Sequence, residues 1–318
     1  MSRRPRPVSP LSQRDGLDAV RYSIPPHRGA GRVGPPVTAH DALLARFPAL
    51  AAPGATPLRA RFDRGEIVRA DGTPWQPSDP VRPGEALWFH RELAPEDVPD
   101  IDLPILFQDE HLLVIDKPHD VATMPRGAHV LASALARLRR TTGITTLTPL
   151  HRLDRRTAGV LVFGIRPAER AAYQGLFAAG AVWKEYLARV AVGPGSAAGE
   201  AGERFTMRDR LVKPSGSLTV QVVDGEPNAV TDVEVLWAGC SDAPTALLRL
   251  RPATGRTHQL RAQLSARGMP ILGDDLYPVL RALEPTDPPL QLLARELAFT
   301  DPATGEERRF TSRRDLVP

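Results

Sequence analysis

The stretch His151-Arg152-Leu153-Asp154-Arg155-Arg156-Thr157-Ala158-Gly159, running into Val160-Leu161-Val162-Phe163, decides how this 318-residue chain is read. It sets one carboxylate among three arginines, in a polar turn directly ahead of an apolar run. The run from Val160 to Gly164 predicts a buried strand. Burying the stem of such a turn makes an unpaired acid costly, so Asp154 must be paired, protonated or used. Held among cations it stays ionised at neutral pH and can act as a nucleophile.

The surroundings of that turn are strongly basic. Residues 137–156 hold six arginines against one acid, although the whole chain carries only +4. Lysine occurs only at 117, 184 and 213, so 38 of the 41 basic residues are arginine. Genome composition can produce that bias. Arginine is nevertheless the better fork for phosphate and the better plane for stacking on bases. An anionic partner at this turn is the simplest inference, with nucleic acid first among candidates. A hydrophobic content of 42% and a charged content of 25% are ordinary for a globular protein. No apolar run approaches the ~18 residues of a membrane span, and no apolar segment follows the basic start, so a membrane or secreted protein is not expected. The single cysteine, Cys240, excludes internal disulfides and multi-cysteine metal sites, and reads as an inert residue of a strand or turn. The cytoplasm is the expected compartment.

Four segments follow from composition. Residues 1–36, rich in Arg, Pro and Gly, read as a flexible basic arm. Residues 37–93 read as a small module with a helix capped at Thr38, a basic helix from Leu58 and a tight hairpin. Arg61 and Arg64 are expected on its solvated face. The acidic, proline-bearing piece 94–104 reads as a linker, and 105–318 as a mixed body. Strands are expected at 112–116, 160–164, 183–192, 218–223, 231–237 and 245–251, with helices at 129–140, 168–180 and 257–267. A hairpin is expected around Asp301-Pro302-Ala303-Thr304-Gly305. Strands dominate without strict alternation, which favours an α+β fold with a largely antiparallel sheet.

Two further segments resemble the first in placing polar residues at an element's edge. One is Lys184-Glu185-Tyr186. The other is Gly255-Arg256-Thr257-His258-Gln259-Leu260-Arg261, where Thr257 can cap the helix. HRLDRRTAGVLVF, KEY and GRTHQLR, in this order, resemble the motifs of the large-subunit pseudouridine synthase family, the RluA-like group. The likeness covers about residues 105–312, two-thirds of the chain, and includes Val114-Ile115-Asp116-Lys117-Pro118 and Pro270-Ile271-Leu272-Gly273-Asp274 with Leu276-Tyr277. Residues 38–91 faintly resemble the small α-L RNA-binding motif.

The resemblance implies isomerisation of uridine to pseudouridine in structured RNA, ribosomal or transfer, with no cofactor and no metal. It implies Asp154 as the nucleophile, Tyr186 as the ring against the target base, and Arg256 as the cation paired with the nucleophile. Arg152 would fill the gap left by a flipped nucleotide. Arg155, His151, Lys184, His258 and Arg261 are read as further RNA contacts. A monomer needing no protein partner is expected. The roles agree with elementary electrostatics, because two charges about 4 Å apart attract by roughly 4 kcal/mol at an effective dielectric near 20. Water would intercept an activated ribose, so a closed pocket is expected around Asp154.

Four residues depart from the family pattern. Arg156 stands where an acid is common, Ala158 where serine is usual, and His119-Asp120 where a small residue and glycine are common. Two other functions compete. A catalytically silent RNA-binding protein of the same fold has no need of a buried acid. An aspartate-nucleophile phosphatase wants a second aspartate where Arg156 stands. Taken singly, Asp154 could be a structural ion pair and Tyr186 a core aromatic. His151 and His258 lack a third metal ligand at suitable spacing.

Overall fold

The computed structural model describes residues 7–26, 37–193, 200–239, 244–284 and 286–317, which leaves Cys240 and much of the expected arm outside the described residues. The chain divides into two compact units, Met1–Asp97 and Val98–Pro318.

The first unit holds β1 (Val20–Ser23), α1 (Ala39–Arg46), α2 (Leu58–Asp63) and β2 (Ala86–Phe89). Strand β1 pairs antiparallel with β2, so part of the segment expected as an irregular arm is a strand of this unit. The reason is packing: Val20, Tyr22 and Ile24 join the core of Leu43, Phe62, Trp75 and Leu87. Thr38 caps α1 as expected, accepting from the Asp41 N–H. Arg61, expected on a solvated face, is buried instead. Its guanidinium donates to Glu66 Oε2 at 2.9 Å and to the His90 carbonyl at 2.7 Å.

The second unit is built on one sheet. Its strands are β3 (Ile105–Gln108), β4 (Leu112–Lys117), β5 (Thr148–Pro149), β6 (Ala158–Gly164), β7 (Trp183–Ala191), β8 (Arg204–Val212), β9 (Gln221–Val223), β10 (Ala229–Ala238), β11 (Thr245–Pro252), β12 (Leu292–Thr300) and β13 (Glu307–Thr311). Its helices are α3 (Ala134–Thr142), α4 (Arg170–Ala179) and α5 (Gln259–Ser265). The order is β3-β4-β6-β12-β7-β11-β10-β8-β9, with β13 beside β12 and β5 beside β6. Every pairing is antiparallel except the short contact of β12 with β6. The fold is α+β with a largely antiparallel sheet.

Helix α3 begins at its Ser133 cap, later than the periodicity from residue 129 predicts, and α5 begins after His258 rather than at Thr257. Strands β3 and β8 were not anticipated. Strand β8 alternates exposed and inward residues, but Asp209, a carboxylate on the inward side held by Gln263 and Arg267, interrupts the apolar period in the sequence.

Two apolar clusters flank the centre of the sheet. One gathers Leu113, Ile115, Leu135, Leu138, Leu153, Leu161 and Phe163. The other gathers Val190, Val235, Leu248, Leu250, Leu260 and Leu264. Tyr186 packs against both.

The central crossing depends on Gly159. It lies at φ +112°, and a Cβ there would fall 2.2 Å from the Ala294 carbonyl oxygen. Only glycine lets β6 and β12 approach so closely in that conformation.

Candidate active site

Asp154 stands on the loop between β5 and β6, which is fastened from several directions. Leu153 is buried in the core, and its N–H and carbonyl both bond Thr123 Oγ1, at 3.2 and 2.9 Å. The buried Lys117 ammonium donates to the carbonyls of Pro118, Val121 and Arg155, each at 2.9 Å. Burial pushes this lysine down to about 7, opposed by the charges of Asp120 and Asp154. The Arg156 guanidinium crosses to the Gly273 carbonyl at 2.5 Å. With Leu153 turned inward and its neighbours tied back, Asp154 points outward.

Helix α5 supplies what faces the carboxylate. Arg261 Nη1 lies 3.6 Å from Asp154 Oδ2, and His258 Nε2 lies 3.9 Å from Oδ1. Arg261 lies in the first turn of α5 and leans back toward its N-terminus, while His258, the left-handed residue just ahead of the helix, brings its ring to the same loop. The expected partner, Arg256, is elsewhere. It is exposed ahead of the helix, with Nε donating to the Asn228 carbonyl at 3.1 Å. The cause lies in how α5 starts: Gln259 Oε1 accepts the Arg256 N–H and the Thr254 hydroxyl, closing the helix mouth and turning Arg256 outward.

Arg261 is nearly sealed, its side chain 4% exposed. Its Nε and Nη2 form a bidentate pair with Asp274, at 2.8 and 2.6 Å, and Nη2 also meets Asp275 at 2.9 Å. Burial opposes its charge, but the hydrogen bonds to Asp274 and the charges of Asp274, Asp154 and Asp275 outweigh it and raise its pKa. His258 moves the other way: burial pushes its pKa down against the pull of Asp154, which favours the neutral ring.

Tyr186 reaches the site through the sheet. On β7 it pairs with Leu250 of β11 and with Ala294 of β12, and Ala294 pairs in turn with Gly159. Gly159, Ala294 and Tyr186 thus lie in one row across three strands. Burial and the nearby Asp154 charge both raise the Tyr186 pKa, which keeps the phenol neutral.

The residues read as RNA contacts divide. Arg152 is exposed, and Arg155 is part-exposed with an ion pair to Asp120 at 2.7 Å. His151 is turned inward: its ring stacks on Phe177 at 4.9 Å and its Nε2 accepts the Val162 N–H at 3.2 Å. Burial pushes it down to about 3. Lys184 donates to the Thr254 carbonyl at 3.1 Å, and Arg261 is enclosed by carboxylates. The anticipated closed pocket is open in part, since the Asp154 side chain is 31% exposed.

Two departures noted in the sequence meet each other here. Asp120 occupies the left-handed region, at φ +61°, where glycine fits most easily and aspartate is tolerated. Its carboxylate lies 2.7 Å from Arg155 and 3.6 Å from Arg156. Sequence reasoning missed Asp274, Tyr277 and Lys117 as parts of this assembly. The signal was present, since all three lie in the stretches Val114–Pro118 and Pro270–Tyr277 that resemble the family's motifs, but no role was attached to them.

The family model described as RNA pseudouridylate synthase matches residues 111–266. The dual-specificity RNA pseudouridine synthase RluA of Escherichia coli K12 is 34% identical over 217 residues, which are 67% of this chain and 94% of that protein. The chain belongs to the RNA pseudouridine synthase family. RluA of Haemophilus influenzae is 35% identical over the same shares of the two chains. Human RNA pseudouridylate synthase domain containing 1 superposes on 70% of this synthase and 86% of its own chain, with a TM-score of 0.56 and 26% identity. Residues 111–266 contain the loop of Asp154, Tyr186 on β7 and α5, while Asp274 and Tyr277 lie just beyond them.

Proposed function

We propose that this synthase converts selected uridines of ribosomal or transfer RNA to pseudouridine, with Asp154 as the acid that acts on the ribose and Arg261 as its cation. The carrying observation is the 3.6 Å approach of a buried, permanently charged guanidinium to a carboxylate on a rigidly tied loop. In the reaction the bond from uracil N1 to ribose C1′ breaks and one from C5 to C1′ forms. N1 gains a proton and the C5 proton is lost to solvent, so the balance calls for no oxidant or reductant. Tyr186 serves as the neutral ring on which the extruded base rests. The exposed Arg152 and Arg155 contact phosphate, and bound RNA completes the cover over the open side of Asp154.

The basic first unit docks RNA, motivated by eight arginines against three acids over residues 1–50. The protein works as a monomer in the cytoplasm, without a protein partner. Deleting residues 1–97 is expected to weaken RNA affinity and flatten its salt dependence; unchanged affinity and slope would remove that role.

The test of the acid is Asp154→Asn. Tritium released from RNA labelled at uracil C5, prepared from cells lacking the gene, counts turnovers. Release is expected to vanish while gel-shift affinity for that RNA persists. Release at the wild-type rate would overturn the assignment. A silent RNA-binding protein would release none even as wild type.

A further inference from the structure

The two groups that bracket Asp154 have a common support. The Tyr277 ring lies under the Arg261 guanidinium, 5.5 Å from its central carbon, and edge-on to His258 with ring centres 5.9 Å apart. Its hydroxyl is the centre of a short chain of hydrogen bonds. The Val220 N–H donates to the phenol oxygen at 2.7 Å, and that hydroxyl lies 3.2 Å from His258 Nδ1. Val220 is buried with Tyr277, Leu211, Ala229 and Ala262, so this backbone donor is fixed. Below the ring, Asp274 Oδ1 accepts the N–H groups of Leu276 and Tyr277 while its carboxylate holds Arg261.

The direction of the chain follows from donor and acceptor counting. The Val220 N–H takes one acceptor position of the phenol oxygen, and the phenol's own proton has His258 Nδ1 as the acceptor beside it, which assigns the phenol as donor. A neutral imidazole that accepts at Nδ1 carries its proton on Nε2, the nitrogen that faces Asp154 Oδ1. His258 is held at φ +50°, a backbone conformation that costs energy for a residue with a side chain and that points the ring at the loop. Burial, which lowers the pKa of His258 and raises that of Tyr277, favours the neutral forms the chain needs.

We propose that Tyr277 and His258 are positioning residues of the isomerisation: Tyr277 fixes His258 as the Nε2–H tautomer, so that a neutral N–H 3.9 Å from Oδ1 and the Arg261 charge 3.6 Å from Oδ2, both just beyond hydrogen-bond reach, bias the rotation of the Asp154 carboxylate electrostatically. The proposal rests on Asp154 being the reacting acid. It adds no chemical step. A carboxylate flanked by an N–H dipole on one oxygen and a guanidinium on the other is oriented by their field, and orientation of this kind raises turnover without altering how RNA binds.

Turnover is read by tritium release from the same C5-labelled RNA, and the tautomer by ring nitrogen-15 spectra, with the His258 signal assigned from the His258 variants. Tyr277→Phe keeps the ring but removes the oxygen. It is expected to lower kcat about tenfold, the rate equivalent of one hydrogen bond, with KM unchanged. His258→Gln retains an amide donor and is expected to keep most of the kcat that His258→Leu loses. The wild-type spectrum is expected to show His258 protonated on Nε2. Wild-type kcat in Tyr277→Phe, equal losses in the two His258 variants, or a proton on Nδ1 would each overturn the proposal. Because the spectrum is taken on the wild type, a Tyr277 variant that fails to fold leaves the decision open to measurement. Asp154→Asn is assayed alongside. If it is active, the underlying reading fails; if it is inactive while Tyr277→Phe is fully active, only the positioning role fails.

Discussion

Removing the Arg261 charge should separate two candidate partners for Asp154 and two kinds of loss. At 3.6 Å the Arg261–Asp154 attraction is about 4–5 kcal/mol at an effective dielectric near 20 and about 1 kcal/mol in bulk water. Asp154 is 31% exposed, so the working value lies between, at ~2–3 kcal/mol, or about a hundredfold in kcat if it is spent in the transition state. Arg261→Met also strands Asp274, whose side chain is 1% exposed, and breaking such a buried pair costs about 3–5 kcal/mol of stability. The double variant Arg261→Met with Asp274→Asn removes the stranded charge. It should recover part of that stability in urea unfolding while kcat stays low. Arg256→Met, at an exposed position, should keep kcat and lie within about 0.5 kcal/mol of wild type in stability. Tritium release from the C5-labelled RNA and urea titrations decide the matter. The reasoning is refuted if Arg256→Met loses a hundredfold in kcat and the double variant loses none.

Two predictions concern the frame that carries the loop. Gly159→Ala should destabilise by about 3 kcal/mol or more, adding backbone strain at φ +112° to a Cβ driven against the Ala294 carbonyl; a urea midpoint shift worth under about 1 kcal/mol would contradict the close crossing. His151 is pushed from 6.5 down to about 3 in the fold, so the unfolded chain binds its proton first as pH falls. Its contribution is whole above pH 6.5 and is lost progressively toward pH 3, up to about 4–5 kcal/mol. His151→Leu should flatten stability against pH across that window, and an unchanged slope would show that the ring is not buried as a neutral acceptor.

Much of this protein is local and therefore legible in order along the chain. Val160 to Gly164 is apolar without a break because β6 is covered on both faces, and the strand follows from that run. Tyr186, Ala188 and Val190 alternate because β7 presents one side to the cores, and Gly180 marks the end of α4 by its left-handed conformation. The same reading placed Asp154 in a polar turn ahead of β6, where it is found. Strand β1 was not legible, since four residues in a Pro- and Arg-rich stretch carry no period and are held by pairing with β2, more than 60 positions away.

Which arginine meets Asp154 could not be decided along the chain. GRTHQLR offers two, and nothing in its spelling says that Gln259 folds back to close the helix mouth, turning Arg256 to solvent and Arg261 inward. That choice depends on where α5 begins and on Asp274, 13 residues further on, whose carboxylate receives the guanidinium that stays inside. The sequence by itself determined the chemistry available, one acid among permanent cations ahead of a buried strand, because side-chain type and short-range pattern are local properties. The pairing within that chemistry was decided by tertiary structure alone, because an ion pair depends on distances of a few ångströms between atoms that only the folded sheet brings together.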